Sequence, residues 1–235
     1  MRLPTALNWP LLSWPFSRKP KQPPLADAAS QSQAPPCDSC EERATFHLTW
    51  PESGRSVREK HLCENHARSV LTAYQPDSRG TPRLPATLDG ATEFEIDLIV
   101  LCEIQDEQLV YLREVGGQRF LPIVIGIFEA AALERRLKNV TFPRPLTHDA
   151  AVDILTTLGG RLVHVLVDQS IDNVWHAQLC LLQNGLRLTI DIRPSDAFMF
   201  AVLLERPIFF RNELLSPDNP AVATGKSPRA PGAEP

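Results

Sequence analysis

The sequence lacks any long apolar run. No stretch approaches the roughly 20 consecutive apolar residues that a membrane-spanning helix needs. The apolar N-terminus is interrupted by Pro10 and Pro15, and no clear small-residue cleavage site follows it. We therefore predict no membrane partner and interpret the N-terminus as a disordered, mildly basic leader. A secretory or membrane-surface role is the alternative.

Familiar catalytic signatures and an excess of positive charge are also missing. The sequence contains no P-loop, no dinucleotide-binding glycine pattern and no recognisable Ser/His/Asp triad. Residues 93–215 contain 17 acidic and 11 basic side chains, which gives a formal charge of about −6. This is the wrong sign for gripping nucleic acid through phosphate neutralisation alone. A nucleic-acid substrate would therefore need a metal ion or a local basic patch.

The five cysteines argue against a secreted disulfide scaffold, because an odd number cannot all pair within one chain. Cys102 and Cys180 fall within apolar strand patterns and are expected to be buried thiols. This usage favours a reducing, cytoplasmic setting.

Proline distribution and composition divide the chain into five parts. These are a disordered leader (1–36), a cysteine module (37–70), a linker (71–92), a main domain (93–215) and a disordered tail (216–235). The linker contains Pro76, Pro82 and Pro85 and has little apolar periodicity. We therefore expect limited proteolysis to cut there and to release a stable fragment that begins near Glu93.

The main domain repeats one pattern of secondary structure. Period-two alternation predicts strands over 93–101, 109–115 and 119–125, followed by a helix that begins at Gly126. The pattern returns as strands over 161–168, 174–182 and 187–192, a helix over 194–205 and a short strand over 207–210. A further helix over 147–158 is predicted between them, capped by Thr147. Two β-β-β-α units predict an α+β fold with a mixed or antiparallel sheet packed by helices.

The cysteine module has the spacing of a structural zinc site. Cys37 and Cys40 are followed by Cys63 and His66, and two ligand pairs of this kind suit tetrahedral zinc. Strands over 45–50 and 56–61 are expected to form a hairpin between the pairs. Reduced thiols in a small core are the alternative. However, about 34 residues rarely build an adequate core without a disulfide or a bound metal ion.

This module resembles the small zinc modules of the activator of bacterial protein-arginine kinase. Ala44-Thr45-Phe46-His47 and His61-Leu62-Cys63-Glu64 carry the resemblance. His66 departs from it, because those proteins more often have cysteine there. All four ligand positions are filled by protein, so we expect a structural rather than a catalytic zinc.

Three motifs of the main domain resemble the bifunctional nuclease family. They are the strand Leu121 to Gly126 with its following helix, the segment Arg144 to Asp149, and the segment Asp191 to Ala197. They occur in the family's order, and the resemblance covers nearly all of 93–215. It implies a nuclease that acts on DNA and RNA, but it assigns no mechanism residue by residue.

The polar residues of these motifs are the candidate catalytic groups. They are Glu129, Arg144, His148, Asp149, Asp191, Arg193, Ser195 and Asp196. In the functional interpretation, carboxylates bind Mg²⁺ or Mn²⁺, arginine binds the phosphodiester and His148 acts as general acid or base. In the structural interpretation, the same residues cap helices and brace one another.

Two functions remain open from the sequence. The first is a metal-assisted nuclease acting on DNA or RNA. The second is a non-catalytic regulatory or scaffold protein whose zinc module docks a protein partner. We expect a homo-oligomer in either case. Carboxylates that converge at metal-ligand distance would favour the nuclease. Arginines that cover those carboxylates would favour the scaffold.

Overall fold

The computed structural model describes residues 35–52, 56–74, 86–117, 119–171, 174–216 and 223–224. The described residues belong to one compact unit. Most of the predicted leader, the centre of the linker and most of the predicted tail lie outside these residues. Of the helices within the described ranges, none is both long and apolar enough for a membrane span.

The cysteine module forms the predicted hairpin and one helix. Strand β1 (Phe46–Pro51) pairs antiparallel with β2 (Val57–Leu62), and α1 (Glu64–Thr72) follows directly. Alternation places Phe46, Leu48 and Trp50 of β1 in the interior.

The main domain contains the two predicted β-β-β-α units. The first unit comprises β3 (Ala91–Cys102), β4 (Glu107–Glu114), β5 (Arg119–Gly126) and α2 (Ile127–Leu137). After α3 (Thr147–Thr157), the second unit comprises β6 (Gly160–Ile171), β7 (Val174–Gln183), β8 (Leu186–Ile192) and α4 (Pro194–Leu204). Strand β9 (Ile208–Arg211), a 3-10 helix (Asn212–Leu215) and the short β10 (Ala223–Thr224) complete the described elements. Asn184 and Gly185 both have positive φ and make the two-residue turn between β7 and β8.

The ten strands of the described ranges form one mixed sheet. Its main path runs β10-β5-β4-β3-β9-β6-β7-β8, and off this path β1 pairs with β3 and β2 pairs with β1. Strands β6 and β9 are parallel, and the other pairs are antiparallel. The predicted α+β class with duplicated units is confirmed.

Strand β3 separates two apolar cores. Phe94 and Ile99 belong to the core beneath the helices, together with residues of α2 and α4. Leu98 and Val100 belong to a second core that contains Leu48 of the cysteine module. The module also pairs with the edge of β3, with Phe46 opposite Cys102. Whether it separates from the main domain when the linker is cut stays a prediction.

Candidate functional site: a composite corner beside an arginine groove

Four predicted ligands of the cysteine module lie together and could hold a metal ion. Cys37 and Cys40 precede β1, whereas Cys63 and His66 lie at the N-terminus of α1. Their ligand atoms all lie within 4.8 Å of one another. The measured separations are 3.6 Å for Cys37 Sγ to His66 Nδ1, 3.7 Å for Cys40 Sγ to Cys63 Sγ, and 3.2 Å for Cys63 Sγ to His66 Nδ1.

Backbone groups favour the thiolate form of one ligand. The Ser39 N–H donates to Cys37 Sγ at 3.4 Å. Burial opposes ionisation, but hydrogen bonds from the backbone of Cys63 and Ser39 and from the thiol and backbone of Cys40 together outweigh it and lower the pKa of the Cys37 thiol to about 6. A thiolate is the form that binds a metal ion.

The Thr-His-Asp and Arg-Pro-Ser-Asp motifs meet at the N-termini of α3 and α4. Pro194 is the first residue of α4, and Asp196 lies in its first turn. His148 lies in the first turn of α3. His148 Nε2 lies 3.0 Å from Asp196 Oδ1, although 48 residues separate them along the chain. The structure therefore brings both predicted motifs into direct contact.

Arg193 joins this contact to α2. Its Nε donates to Asp196 Oδ2 at 2.9 Å, and its Nη1 lies 2.9 Å from Glu129 Oε1. The hydrogen bond to Asp196 raises the pKa of Arg193, so this side chain stays charged. The Arg193 side chain is 67% exposed, against 22% for Glu129 and 19% for Asp196. We call Glu129, His148, Arg193 and Asp196 the composite corner.

The other candidate residues lie outside these contacts. Asp149 accepts the backbone N–H of Leu146 at 2.9 Å and so stabilises the start of α3. Leu146, rather than Thr147, is the N-cap residue of α3, so the predicted cap at Thr147 is wrong by one position. Ser195 lies in the first turn of α4, half-buried, and has no side-chain partner in the described ranges.

Asp191 points away from the composite corner. It lies opposite Gln178 on β7, and its neighbour Ile190 lies opposite Leu179, which is buried beneath the helices. Since side chains alternate along a strand, Asp191 faces the side of the sheet that lacks the helix layer. A catalytic role for Asp191 stays a prediction.

A groove of about 290 Å³ adjoins the composite corner. His148 lines both, and three arginines line the groove: Arg135, Arg136 and Arg144. Among the described residues, no ion pair involves any of these three guanidinium groups. We call this feature the arginine groove. Arg144 was a candidate from the sequence, but Arg135 and Arg136 were not. Their adjacency on a helix that also contains Glu129 is the signal that could have found them.

The composite corner does not contain a preformed set of three convergent metal ligands. Within the described ranges, the cysteine module provides the single group of three or more His, Cys, Asp or Glu residues whose ligand atoms converge. At the corner, one guanidinium lies between the carboxylates of Glu129 and Asp196.

Residues 110–222 match the sequence profile of the bifunctional nuclease domain. Over these residues the chain is similar to the bifunctional nuclease domain family. The resemblance inferred from the three motifs is thereby confirmed. The profile begins inside β4, so the first strand of the first unit lies outside the match. The match includes every residue of the composite corner and the arginine groove, and it excludes the metal ligands of the cysteine module.

Relatives of the bifunctional nuclease domain occur in bacteria and plants. Two uncharacterised proteins of Mycobacterium tuberculosis, from strains CDC 1551 / Oshkosh and H37Rv, are each 35% identical over 112 residues, which cover 48% of this chain and 66% of theirs. Bifunctional nuclease 2 of Oryza sativa subsp. japonica is 27% identical over 137 residues, which cover 53% of this chain and 42% of that protein. The chain therefore spans two thirds or less of the length of these curated relatives.

Proposed function

We propose that the bifunctional nuclease domain hydrolyses phosphodiester bonds of DNA or RNA at the composite corner. One observation carries this proposal: His148, Asp196, Arg193 and Glu129 form a continuous chain of contacts, and His148 also lines the arginine groove. A base, a carboxylate that orients it and a guanidinium can together activate water and stabilise the charge that develops in phosphodiester hydrolysis.

His148 and Asp196 would act as a general base and its positioning group. When His148 Nε2–H donates to Asp196, Nδ1 keeps a lone pair that can accept a proton from water. Asp196 fixes this tautomer and the ring orientation, as a buried carboxylate does for other catalytic histidines. Phe200 packs edge-on against the ring, with centroids 6.2 Å apart, and limits its rotation.

The arginines would bind the phosphate backbone. Arg193 is exposed and can present two N–H groups to a phosphate, as guanidinium groups commonly do. The groove is lined by three arginines against two carboxylates, Asp149 and Asp153, so it carries a small excess of positive charge within an acidic domain. Nucleic acid would therefore approach along the groove and place one phosphodiester at the composite corner.

We propose Mg²⁺ or Mn²⁺ as the activating ion. The carboxylates of Glu129 and Asp196 share the positive charge of Arg193, and oxygen ligands of this type suit hard divalent cations. If Arg193 turns towards a bound phosphate, both carboxylates become available to the ion. The ion would supply Lewis-acid stabilisation of the phosphoryl oxygens.

For the cysteine module we propose a structural zinc ion. Tetrahedral zinc places two sulfur ligands about 3.8 Å apart and a sulfur and a nitrogen about 3.6 Å apart. The contacts of 3.7 Å between Cys40 and Cys63 and 3.6 Å between Cys37 and His66 agree with these separations, whereas the 3.2 Å between Cys63 and His66 is shorter. Four protein ligands leave no position for substrate, so the role of the ion would be structural.

A non-catalytic scaffold is the second candidate, and one observation favours it. Arg193 pairs with both Asp196 and Glu129, which is the covering arrangement expected if these residues only brace two helices. Under this alternative, the cysteine module would dock a protein partner, and changes at the corner would alter stability without affecting any hydrolysis.

A cleavage assay separates the two candidates. Purified full-length chain is incubated with labelled single-stranded and double-stranded DNA and RNA, in EDTA and then with added Mg²⁺ or Mn²⁺. We expect cleavage with the added ion and a loss of about 10²- to 10⁴-fold in Asp196→Asn. Asp106→Asn, an exposed change in the turn after β3, is the matched control.

Circular dichroism in the same buffers must show that EDTA leaves the fold intact, since the chelator can also remove ions from the cysteine module. Equal cleavage by Asp196→Asn and the native chain would exclude the composite corner as the active site. An inactive native chain on every substrate would favour the scaffold.

A further inference from the structure

Strand β8 is an uncovered edge of the sheet. It ends the strand path beyond β7, and no strand of the described residues pairs with its outer edge. None of its seven residues is buried. Edge strands of this length usually carry proline, lysine or a bulge that prevents pairing with another chain, and β8 has none of these.

An apolar row continues from the core onto this edge. Leu188 lies opposite the buried Leu181, and Ile190 lies opposite the buried Leu179, so all four share the sheet face that packs beneath the helices. Leu186 extends the row, and Leu186, Leu188 and Ile190 are 66%, 42% and 49% exposed. Helix α4 packs on β6 and β7, which leaves the row at β8 open.

The sequence of β8 is complementary to itself in one antiparallel register. When Thr189 faces Thr189 of a second copy, Arg187 lies opposite Asp191 of that copy, and the pair occurs twice. Leu188 then lies opposite Ile190 of the second copy on the other face. Opposite charges and aliphatic pairs at directly facing positions stabilise antiparallel strands.

Neighbouring registers lose this complementarity. Centring the pair on Ile190 places Arg187 opposite Arg193, so that two positive charges face each other. Centring it on Leu188 places Arg187 opposite Thr189 and Asp191 opposite Gly185, so neither charge has a partner. Arg187 and Asp191 are both exposed, and no ion pair in the described part of the chain involves either of them.

The geometry points to a homodimer in which β8 pairs antiparallel with β8 of a second copy, centred on Thr189. The two sheets become continuous, and each Arg187 pairs with Asp191 of the other copy. A two-fold axis of this pairing is perpendicular to the sheet, so both copies place their helices on the same side. The apolar rows of the two edges then lie side by side, so each reduces the exposure of the other. This inference is independent of the proposed nuclease activity.

Charge reversal and its repair test the register. Sedimentation velocity of the full chain, over a range of concentrations, should give a mass twice the 26.2 kDa of one chain. Arg187→Glu places like charges opposite each other and should yield monomer, as should Asp191→Arg. The double variant Arg187→Glu/Asp191→Arg restores both pairs and should restore the dimer. Arg161→Glu, an exposed change on β6 that β7 separates from β8, should leave it intact.

Circular dichroism of each variant checks that the chain folds, which is expected because neither side chain is buried. A native chain that stays monomeric at every concentration would overturn the inference. A dimer that persists in both single variants would show that another surface is used. A folded double variant that remains monomeric would exclude the register centred on Thr189.

Discussion

The N-termini of α2 and α4 occupy equivalent places in the two β-β-β-α units, yet they are built from different residues. Each helix follows the third strand of its unit, and each has a carboxylate three positions after the N-cap, Glu129 in α2 and Asp196 in α4. The N-cap itself is Gly126 in the first unit and Arg193 in the second. The Arg193 guanidinium therefore pairs with both carboxylates, which occupy equivalent positions in the two units.

The outer strands of the two units also differ, because β5 is partly buried and β8 is not. Four of the eight residues of β5 are buried, whereas none of the seven in β8 is. Three of the buried residues of β5, Leu121, Ile123 and Ile125, belong to the core beneath the helices, and β10 pairs with the outer edge of β5. The cysteine module covers the opposite face of β3 and β4. The second unit has no equivalent cover among the described residues. The repeat fixes the arrangement of strands and helices, while segments outside the repeat determine which surfaces stay accessible.

Removal of the proposed zinc should have the largest effect on the difference between the two units, because it should destabilise the first unit and leave the second unchanged. Cys63→Ser should lose the ion and unfold the cysteine module, because structural zinc in small modules contributes on the order of 10 kcal/mol. The core shared by Leu98, Val100 and Tyr111 would then be exposed. Elemental analysis should show loss of zinc, and hydrogen exchange should quicken in β3 and β4 while β6 and β7 keep their protection.

Cys180→Ser is the matched control, because Cys180 is a half-buried thiol of β7 outside the metal cluster. Native protein purified without chelators and free of zinc would contradict the prediction. If hydrogen exchange changed to the same extent in both units, the first unit would not depend on the cysteine module for its protection.

A buried hydrogen bond between the module and α2 should give the next largest effect. Thr49 Oγ1 donates to Glu134 Oε1 at 2.7 Å, and Lys138 Nζ lies 3.0 Å from the same oxygen. Thr49→Val removes one donor from a buried carboxylate, which should lower the free energy of unfolding by about 1–3 kcal/mol. Chemical denaturation followed by circular dichroism measures the change.

Thr45→Val provides a close control for this substitution. The Thr45 hydroxyl is buried and has no hydrogen-bond partner in the described part of the chain, so its loss should leave stability nearly unchanged or raise it. Equal destabilisation by Thr45→Val and Thr49→Val would mean that the bond to Glu134 does not hold the module to α2.

Local patterns in the sequence predicted most elements of the fold but not their long-range pairing. Alternation and the Asn184-Gly185 turn located β7 and β8 to within a residue, because such signals depend on immediate neighbours. The parallel pairing of β9 with β6 and the attachment of β1 to β3 join segments far apart in sequence, and no local pattern encodes either.

In the candidate site, too, the sequence predicted local features but not all of the long-range contacts. That His148 and Asp196 belong to the site was expected from the two motifs that each begin a predicted helix. The orientation of Asp191 was not, because the face of β8 that packs beneath the helices is settled by pairing with β7. The arginine groove was missed because Arg135 and Arg136 become neighbours of Arg144 only when the chain folds back after α2.

The two equivalent carboxylates should differ in their effect on the proposed cleavage, and this is the smallest change we predict. Asp196 contacts both His148 and Arg193, whereas Glu129 contacts Arg193 alone at the composite corner. Glu129→Gln should therefore reduce the cleavage rate by roughly tenfold, which corresponds to losing one hydrogen bond to a charged group. Asp196→Asn should reduce it further under the same conditions. Stability should barely change in Glu129→Gln, since an ion pair with a largely exposed arginine contributes little. Glu107→Gln, exposed at the start of β4, is the control. A loss in Glu129→Gln as large as that in Asp196→Asn would mean that the two units contribute equally, and that the histidine contact gives α4 no special role.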